Sequence, residues 1–479
     1  MNLSDLIALL PFAFLVAWAM ILLLVDLWVK PKWIIAILSA FGLAVTLGLV
    51  LSQAGHVRLA FHAMLAVDGF AVYLNVLFLA CGLAAIALAY DYLRRMGIEH
   101  GEYYVLLLFS VSGMMLMAYA ADLIVVFLAL ELLSIPLYVL AGFNRTRVES
   151  EEAALKYFLL GAFASGFVVY GVAMVYGATA HTDLRGIIAS IQAGKATTPL
   201  LLLGASLLLV GLGFKVAAVP FHMWTPDVYQ GAPSPVTGFM SVATKAAGFA
   251  ALLRIFALAF PSLTPALTPL LWGLAALTML VGNVLAISQG NIKRMLAYSS
   301  IAHAGYILMA FVPFGVAKVA HDAVASALFY LMAYGFTSFG AWAVVVALEK
   351  AEGKGLELAD YAGLGRKYPW LAAAMMIFML SFIGVPPTLG FWGKFYLIRT
   401  TIEGGQIALA LVGLAASLIS AYYYLRVVVI MYMRPGEPDA QGGTWINATA
   451  IGAALATFLL GLLPGPLFNA ATQAVLRLL

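Results

Sequence analysis

Long apolar runs separated by short polar stretches fill almost the whole chain. They lie near 6–28, 33–53, 68–91, 103–120, 122–143, 152–177, 199–218, 236–260, 268–288, 295–313, 319–348, 369–402, 406–433 and 446–469. A helix of about 20 such residues, rising about 1.5 Å per residue, crosses a hydrocarbon core about 30 Å thick. The pattern therefore predicts about fourteen transmembrane helices, the longer ones tilting or breaking. Two runs are interrupted by proline, which removes a backbone donor and breaks a helix. Pro220 falls in the fourth helix of a run of five that begins at 103, and Pro386–Pro387 in the fourth of five that begins at 268. Five is odd, so the two runs cross the membrane in opposite senses. The expected fold is an all-α integral membrane protein with two inverted five-helix repeats, each with a broken helix. Its parts are a three-helix region (1–100), a first repeat (101–260), a second repeat (261–434) and a C-terminal helix (435–479). The segment from Leu6 to Val29 is too long for a signal-peptide core, with no small-residue cleavage site after it, and reads as a retained helix.

Composition agrees. The chain has 479 residues, 64% hydrophobic and 10% charged, with a mean hydropathy of +1.03. No soluble globule has this make-up. A formal charge of +4 is too small to suggest nucleic acid. The single cysteine, Cys81, excludes disulfides, iron–sulfur ligation and zinc clusters on this chain alone. No phosphate-binding or dinucleotide-binding glycine motif is present. Alternate loops hold Lys30, Lys32, Arg94, Arg95, Arg145, Arg147, Lys293, Arg294, Lys350, Lys354, Arg366, Lys367 and Arg434, against Arg58, Arg185, Lys195, Lys318, Arg399 and Arg477 on the other face. This bias places the first set in the cytoplasm and both termini outside.

The chemistry-bearing stretch runs from Gly211 to Lys245, GLGFKVAAVPFHMWTPDVYQGAPSPVTGFMSVATK. Lys215 follows fifteen mostly aliphatic residues and is therefore deep. A lysine at that depth costs about 2.5–3.5 kcal/mol on insertion scales. Broken backbone at membrane depth is tolerated only inside protein or beside water. The stretch reads as an ion path or as a structural re-entrant loop whose lysine snorkels. Glu131, nine residues after Asp122, lies roughly 13–14 Å into the core. It is the clear deep carboxylate, against Lys156, Lys215, Lys245 and Lys394. Lys245 is mid-depth. Lys156, close after Glu151 and Glu152, reads as an interface anchor or a pathway group. Lys394 follows the second break, with Gly390 and Gly393 beside it. Ser299, His303 and Tyr306 form a polar stripe on one helix face, and Tyr330, Tyr334 and Thr337 repeat it. Such stripes serve helix–helix hydrogen bonding or a proton wire. His222 and Asp227 follow the first break and would line an entrance; Lys318, His321 and Asp322 read as a surface cluster.

These residues also carry a resemblance. ELLSIPLYVLAGF, EEAALKYFLLGAFASGFVVYG, GFKVAAVPFHMWTPDVYQGAPSPVTGF, NIKRMLAYSSIAHAGY and VPPTLGFWGKF resemble subunit N (subunit 2) of respiratory complex I, the proton-pumping NADH–quinone oxidoreductase, over most of the chain from about 68 to 430. The resemblance implies an antiporter-like fold and proton translocation coupled to quinone reduction along midplane charges. In that family a fifth-helix glutamate pairs with a seventh-helix lysine, here Glu131 and Lys215; Lys245 is central, Lys394 leads to the far side, and Lys156 takes the sixth-helix lysine's place. It implies no redox centre on this chain, within a complex carrying FMN and iron–sulfur clusters and using NADH and quinone. The implied partners are an antiporter-like M-type neighbour, small K- and J-type subunits and the bilayer of a bacterial inner membrane. A lysine at 394 and the lack of a long lateral helix argue against the M-type and L-type siblings. A sodium–proton antiporter subunit and a ferredoxin-dependent photosynthetic relative remain as alternatives.

Overall fold

The computed structural model describes residues 3–260, 263–351 and 353–475. Helices α1 (Leu3–Val25) and α2 (Trp33–Leu51) lead to a hairpin, β1 (Arg58–Ala60) and β2 (Leu65–Val67), with Leu59 opposite Ala66, and then to α3 (Gly69–Arg95). The first run of five holds α4 (Glu102–Tyr119), α5 (Leu123–Ala141) and α6 (Val148–Thr179). A short amphipathic α7 (Leu184–Gln192) precedes the broken pair α8 (Thr198–Val216) and α9 (Trp224–Gly231). The fifth span is built from α10 (Ser234–Phe239), a π-helical turn over Met240–Thr244, α11 (Lys245–Leu252) and a second π segment over Leu253–Ala259.

The second run holds α12 (Thr264–Ile287), α13 (Ile292–Met309) and α14 (Ala317–Leu348). After the short α15 (Leu364–Lys367) come the broken pair α16 (Pro369–Ile383) and α17 (Leu389–Glu403), then α18 (Ile407–Met433). Helices α19 (Thr444–Leu462) and α20 (Gly465–Gln473) complete the described chain. Among the described residues, twelve helices are long and apolar enough to span a membrane. With α13 and the interrupted α16–α17 they make the fourteen that the hydropathy pattern predicts. The pattern differs from the structure at three places. The run 446–469 is two helices, because Pro464 separates α19 from α20. The hairpin and α7 carry no spanning signal, so the hydropathy pattern does not show them. Arg477, counted among the outer charges, lies outside the described residues.

Side chains set the helix ends. Asp122 caps α5 by accepting from the Ile124 amide at 2.7 Å, and Asn291 caps α13 by accepting from the Lys293 amide at 3.0 Å. The two breaks are built alike. α8 ends on Ala217 at φ +61° and α16 on Gly384 at φ +90°. In each, the next amide reaches back to the helix: Ala218 to the Gly213 carbonyl (2.8 Å) and Val385 to the Leu380 carbonyl (3.0 Å). The amide of Val219, stranded by the first break, donates to Thr278 Oγ1 at 2.9 Å, so that backbone donor is paired.

Burial ranks the helices by position. Along the most apolar 18 residues of the Ser234–Ala257 span every residue is buried, against 28% for α6. The α10–α11 span is therefore the centre and α6 the rim. At one end of that span Arg254 is 1% exposed. It donates to both Asp68 oxygens at 2.9 Å and to the Ala118 carbonyl at 2.7 Å. This clamp ties the second π segment to the start of α3.

Candidate functional site

Lys215 sits in the last turn of α8, next to the break, 3% exposed. Its Nζ donates to Ser134 Oγ of α5 at 2.9 Å and to Tyr157 OH of α6 at 3.0 Å. Tyr157 is held flat by stacking on Trp224, 4.6 Å between centroids. The expected pairing with Glu131 is not closed: no ion pair joins the two within 4.0 Å. Glu131 lies one turn before Ser134, half-buried toward the rim of α5 and α6, and accepts a short hydrogen bond from Ser165 Oγ.

Lys245 begins α11 directly after the π-helical turn. An inserted residue of this kind re-aims the following side chains and is frequent at functional sites. Its Nζ, 3% exposed, donates to the Ser300 carbonyl at 2.7 Å and to Ser300 Oγ at 2.8 Å. Gly248, one turn on, brings α8 close: a Cβ there would lie 2.8 Å from Val216 Cγ1 and 3.4 Å from Lys215 Cγ. The aliphatic stem of Lys215 therefore packs over the same helix that carries Lys245.

From Ser300 the polar line continues along α13. His303 Nδ1 meets Tyr330 OH at 2.6 Å and Nε2 meets Tyr424 OH at 3.1 Å, while Ser299 Oγ shares a short contact with the same Tyr424 hydroxyl. Thr337 Oγ1 and Ser381 Oγ are 2.9 Å apart. Both stripes thus bond across helices. Lys394, 5% exposed, donates to the Ile383 carbonyl at 2.9 Å, where α16 ends, and to Ser417 Oγ of α18 at 2.8 Å. Its Nζ is 4.5 Å from the centroid of Tyr306. Lys215, Lys245, His303 and Lys394 are thus brought into one buried polar tract. Among the described residues none of the three lysines has a carboxylate within 4.0 Å; hydroxyls and carbonyls hold them.

Lys156 is not in this tract. It is 39% exposed and forms ion pairs with Glu152 (2.6 Å) and Asp227 (2.7 Å). Asp227 also binds Arg294 at 2.6 Å. These residues line a polar cleft of about 390 Å³, so Asp227 does stand at an opening. The reason is the position of Lys156, only four residues past Glu152 in the first turns of α6. His321 and Asp322 form the exposed pair expected of them.

Buried charges that the sequence did not single out include Glu349 and Lys293. Glu349, at the end of α14, is 0% exposed, buried by protein at the loop end of its span. Lys293, counted with the loops, is 1% exposed in the first turn of α13. The one available signal was that Lys293 lies two residues past the cap Asn291 and so inside the helix.

The family described as NADH:quinone oxidoreductase/Mrp antiporter, transmembrane, matches residues 120–420. A Trichlorobacter lovleyi protein named NADH-quinone oxidoreductase subunit N is 46% identical over 480 residues, covering 98% of this chain and 97% of that one. This chain belongs to the subunit N family. A Chloroflexus aggregans subunit N is 47% identical over 474 residues, covering 97% and 96%. Among solved structures, a chain of respiratory complex I from Thermus thermophilus with bound Aureothin superimposes with a TM-score of 0.83 at 38% identity, covering 97% of this chain and 99% of that one. A chain of the Mrp complex from a Dietzia species reaches 0.88 at 21% identity, covering 99% and 97%; that likeness is one of fold alone.

Proposed function

We propose that this chain is a membrane-arm subunit of an NADH–quinone oxidoreductase and that it moves protons across the membrane through Lys215, Lys245, His303 and Lys394. The observation that carries this reading is three buried lysines with no carboxylate within 4.0 Å among the described residues, each bonded to hydroxyls or carbonyls, set at two helix breaks and a π-helical turn. Burying an unpaired fixed charge is costly, whereas a lysine can release its proton and arginine cannot. Glu131, on the rim, tunes Lys215 from a distance and faces a neighbouring subunit. Lys156 acts at the opening, with Asp227. In this reading the chain carries no redox centre; FMN and iron–sulfur clusters lie on other subunits, and an M-type neighbour and small K- and J-type subunits pack alongside. The complex sits in a bacterial inner membrane, with the loops around Arg95 and Lys367 cytoplasmic and both termini outside. The functional parts are 1–100, 101–260, 261–434 and 435–479. The test is Lys245→Arg in the whole complex, reconstituted in vesicles. It keeps the charge, and proton uptake per NADH oxidised should fall severalfold. Parental uptake would make Lys245 a fixed charge and defeat the reading.

A further inference from the structure

Glu349 sits where the chain leaves α14, with the Tyr92 hydroxyl beside it and, among the described residues, no hydrogen bond of normal geometry to either carboxylate oxygen. Two cations stand off from it: Arg147 Nη1 at 3.6 Å and Lys293 Nζ at 4.0 Å from Oε1. A structural ion pair in the same protein looks different. Asp68 receives both nitrogens of Arg254 at 2.9 Å. A buried carboxylate left without bonds carries the full desolvation penalty, so a purely structural Glu349 would be a poor choice.

The surroundings of Glu349 form a sequence of steps from water to the buried tract. Arg147 lines the polar cleft that also holds Lys156, Asp227 and Arg294, and its side chain is 23% exposed. The guanidinium lies against Gly353, where an added Cβ would come within 2.6 Å of Nη2; the glycine, at φ +73°, is what lets it fit. Inward of Glu349, Lys293 Nζ donates to the Ala232 carbonyl at 2.6 Å, at the head of the span that carries Lys245. Ser300, which holds Lys245, is seven residues along α13 from Lys293, two turns higher on nearly the same face and about 10 Å away. The buried Tyr229 hydroxyl lies beside Ser300.

We infer that Glu349, relayed by Lys293, is the proton intake that reloads Lys245 from the cleft beside Arg147. The inference rests on the translocation reading above. The Glu349 carboxylate takes one proton from water in the cleft. It hands that proton to the Lys293 amine once the amine has given its own toward Ser300 and Lys245. Each transfer moves one proton and no electrons, and returns its donor to the starting state.

The experiment uses the whole complex, purified and reconstituted in vesicles, and measures NADH-driven quinone reduction with proton uptake. Positioned proton carriers contribute on the order of 10²–10⁴ in rate, so Glu349→Gln should slow both roughly ten-fold or more. Glu349→Asp, which keeps the acid, should restore most of the rate. Lys245→Ala runs beside them. If Lys245→Ala is impaired and Glu349→Gln runs at the parental rate, the intake is wrong and the translocation reading stands. If Lys245→Ala is itself unimpaired, the translocation reading falls and takes the intake with it. Equal slowing by Gln and Asp marks a structural clasp and overturns the intake. Should the Gln variant fail to assemble, Glu349→Asp decides: a solvent deuterium isotope effect above the parent's supports the intake, and an unchanged one overturns it.

Discussion

Lys245 and Arg254 lie nine positions apart on one buried span, and their partners divide their roles. Lys245 is held by the serine hydroxyl and carbonyl of Ser300, acceptors that serve a charged or a neutral amine. Arg254 is held by both oxygens of Asp68 and by the Ala118 carbonyl, a geometry that suits only a permanent cation. Removing one partner from such a pair leaves an uncompensated buried charge, which costs about 3–5 kcal/mol. Asp68→Ala is therefore expected to lower the unfolding temperature of the purified complex, or to prevent its assembly. Asp68→Ala combined with Arg254→Leu should recover a large part of the loss. A single variant that melts with the parent would show that the clamp adds no stability. Lys215 offers a second contrast. Tyr157→Phe removes one of its two acceptors, keeps the ring stacked on Trp224, and should reduce proton uptake more than it reduces thermal stability.

At the scale of elements, the close approach of α8 to α11 depends on Gly248. A leucine there would meet Val216 where even a Cβ comes within 2.8 Å, and would push the Lys215 stem off the helix. Gly248→Leu should therefore cut NADH-driven proton uptake about ten-fold or block assembly, since misplacement of a reacting group by about 1 Å can cost 10²-fold. Uptake within twofold of the parent would show that the two lysines need not be close. The breaks themselves were legible, because proline in an apolar run has one physical meaning. So were the deep positions of Lys215, Lys245 and Lys394, which follow from counting residues into a span. Their partners were not. Ser134, Ser300 and Ser417 are three of many hydroxyls, and nothing local marks which of them faces a lysine on another helix. The π-helical turn before Lys245 shifts the register in a way that a 3.6-residue period cannot anticipate. Lys293 was misplaced because loop-charge counting treats any lysine near a span end as wet, while tertiary packing had buried it.

The molecule as a whole is asymmetric in its surroundings. The α10–α11 span and α14 are wrapped by protein, while α6 shows Phe163, Leu159 and Tyr170 on its outer face. Glu131 and Ser165 lie close to that same face, which suits contact with another subunit better than contact with lipid alone. Sidedness has a direct check. The one native cysteine, Cys81, is 3% exposed and gives a nearly silent background for thiol labelling. Cysteines placed at Arg94 or Lys354 should resist a membrane-impermeant thiol reagent added to intact cells and react once the membrane is opened. Labelling in intact cells would reverse the orientation.

The clamp between Asp68 and Arg254 also has a temporal side. Its two halves are 186 residues apart in the chain. At about 5–20 residues per second, a ribosome needs roughly 10–40 s to bring the arginine into existence after the aspartate has emerged. For that interval the first three helices wait in the membrane with a carboxylate whose counterion has not been synthesised. The mature junction between α3 and the second π segment closes only when the tenth and eleventh helical pieces have been threaded in. Helix α3 and the buried span that carries Lys245 and Arg254 are therefore completed together, as one step of biogenesis.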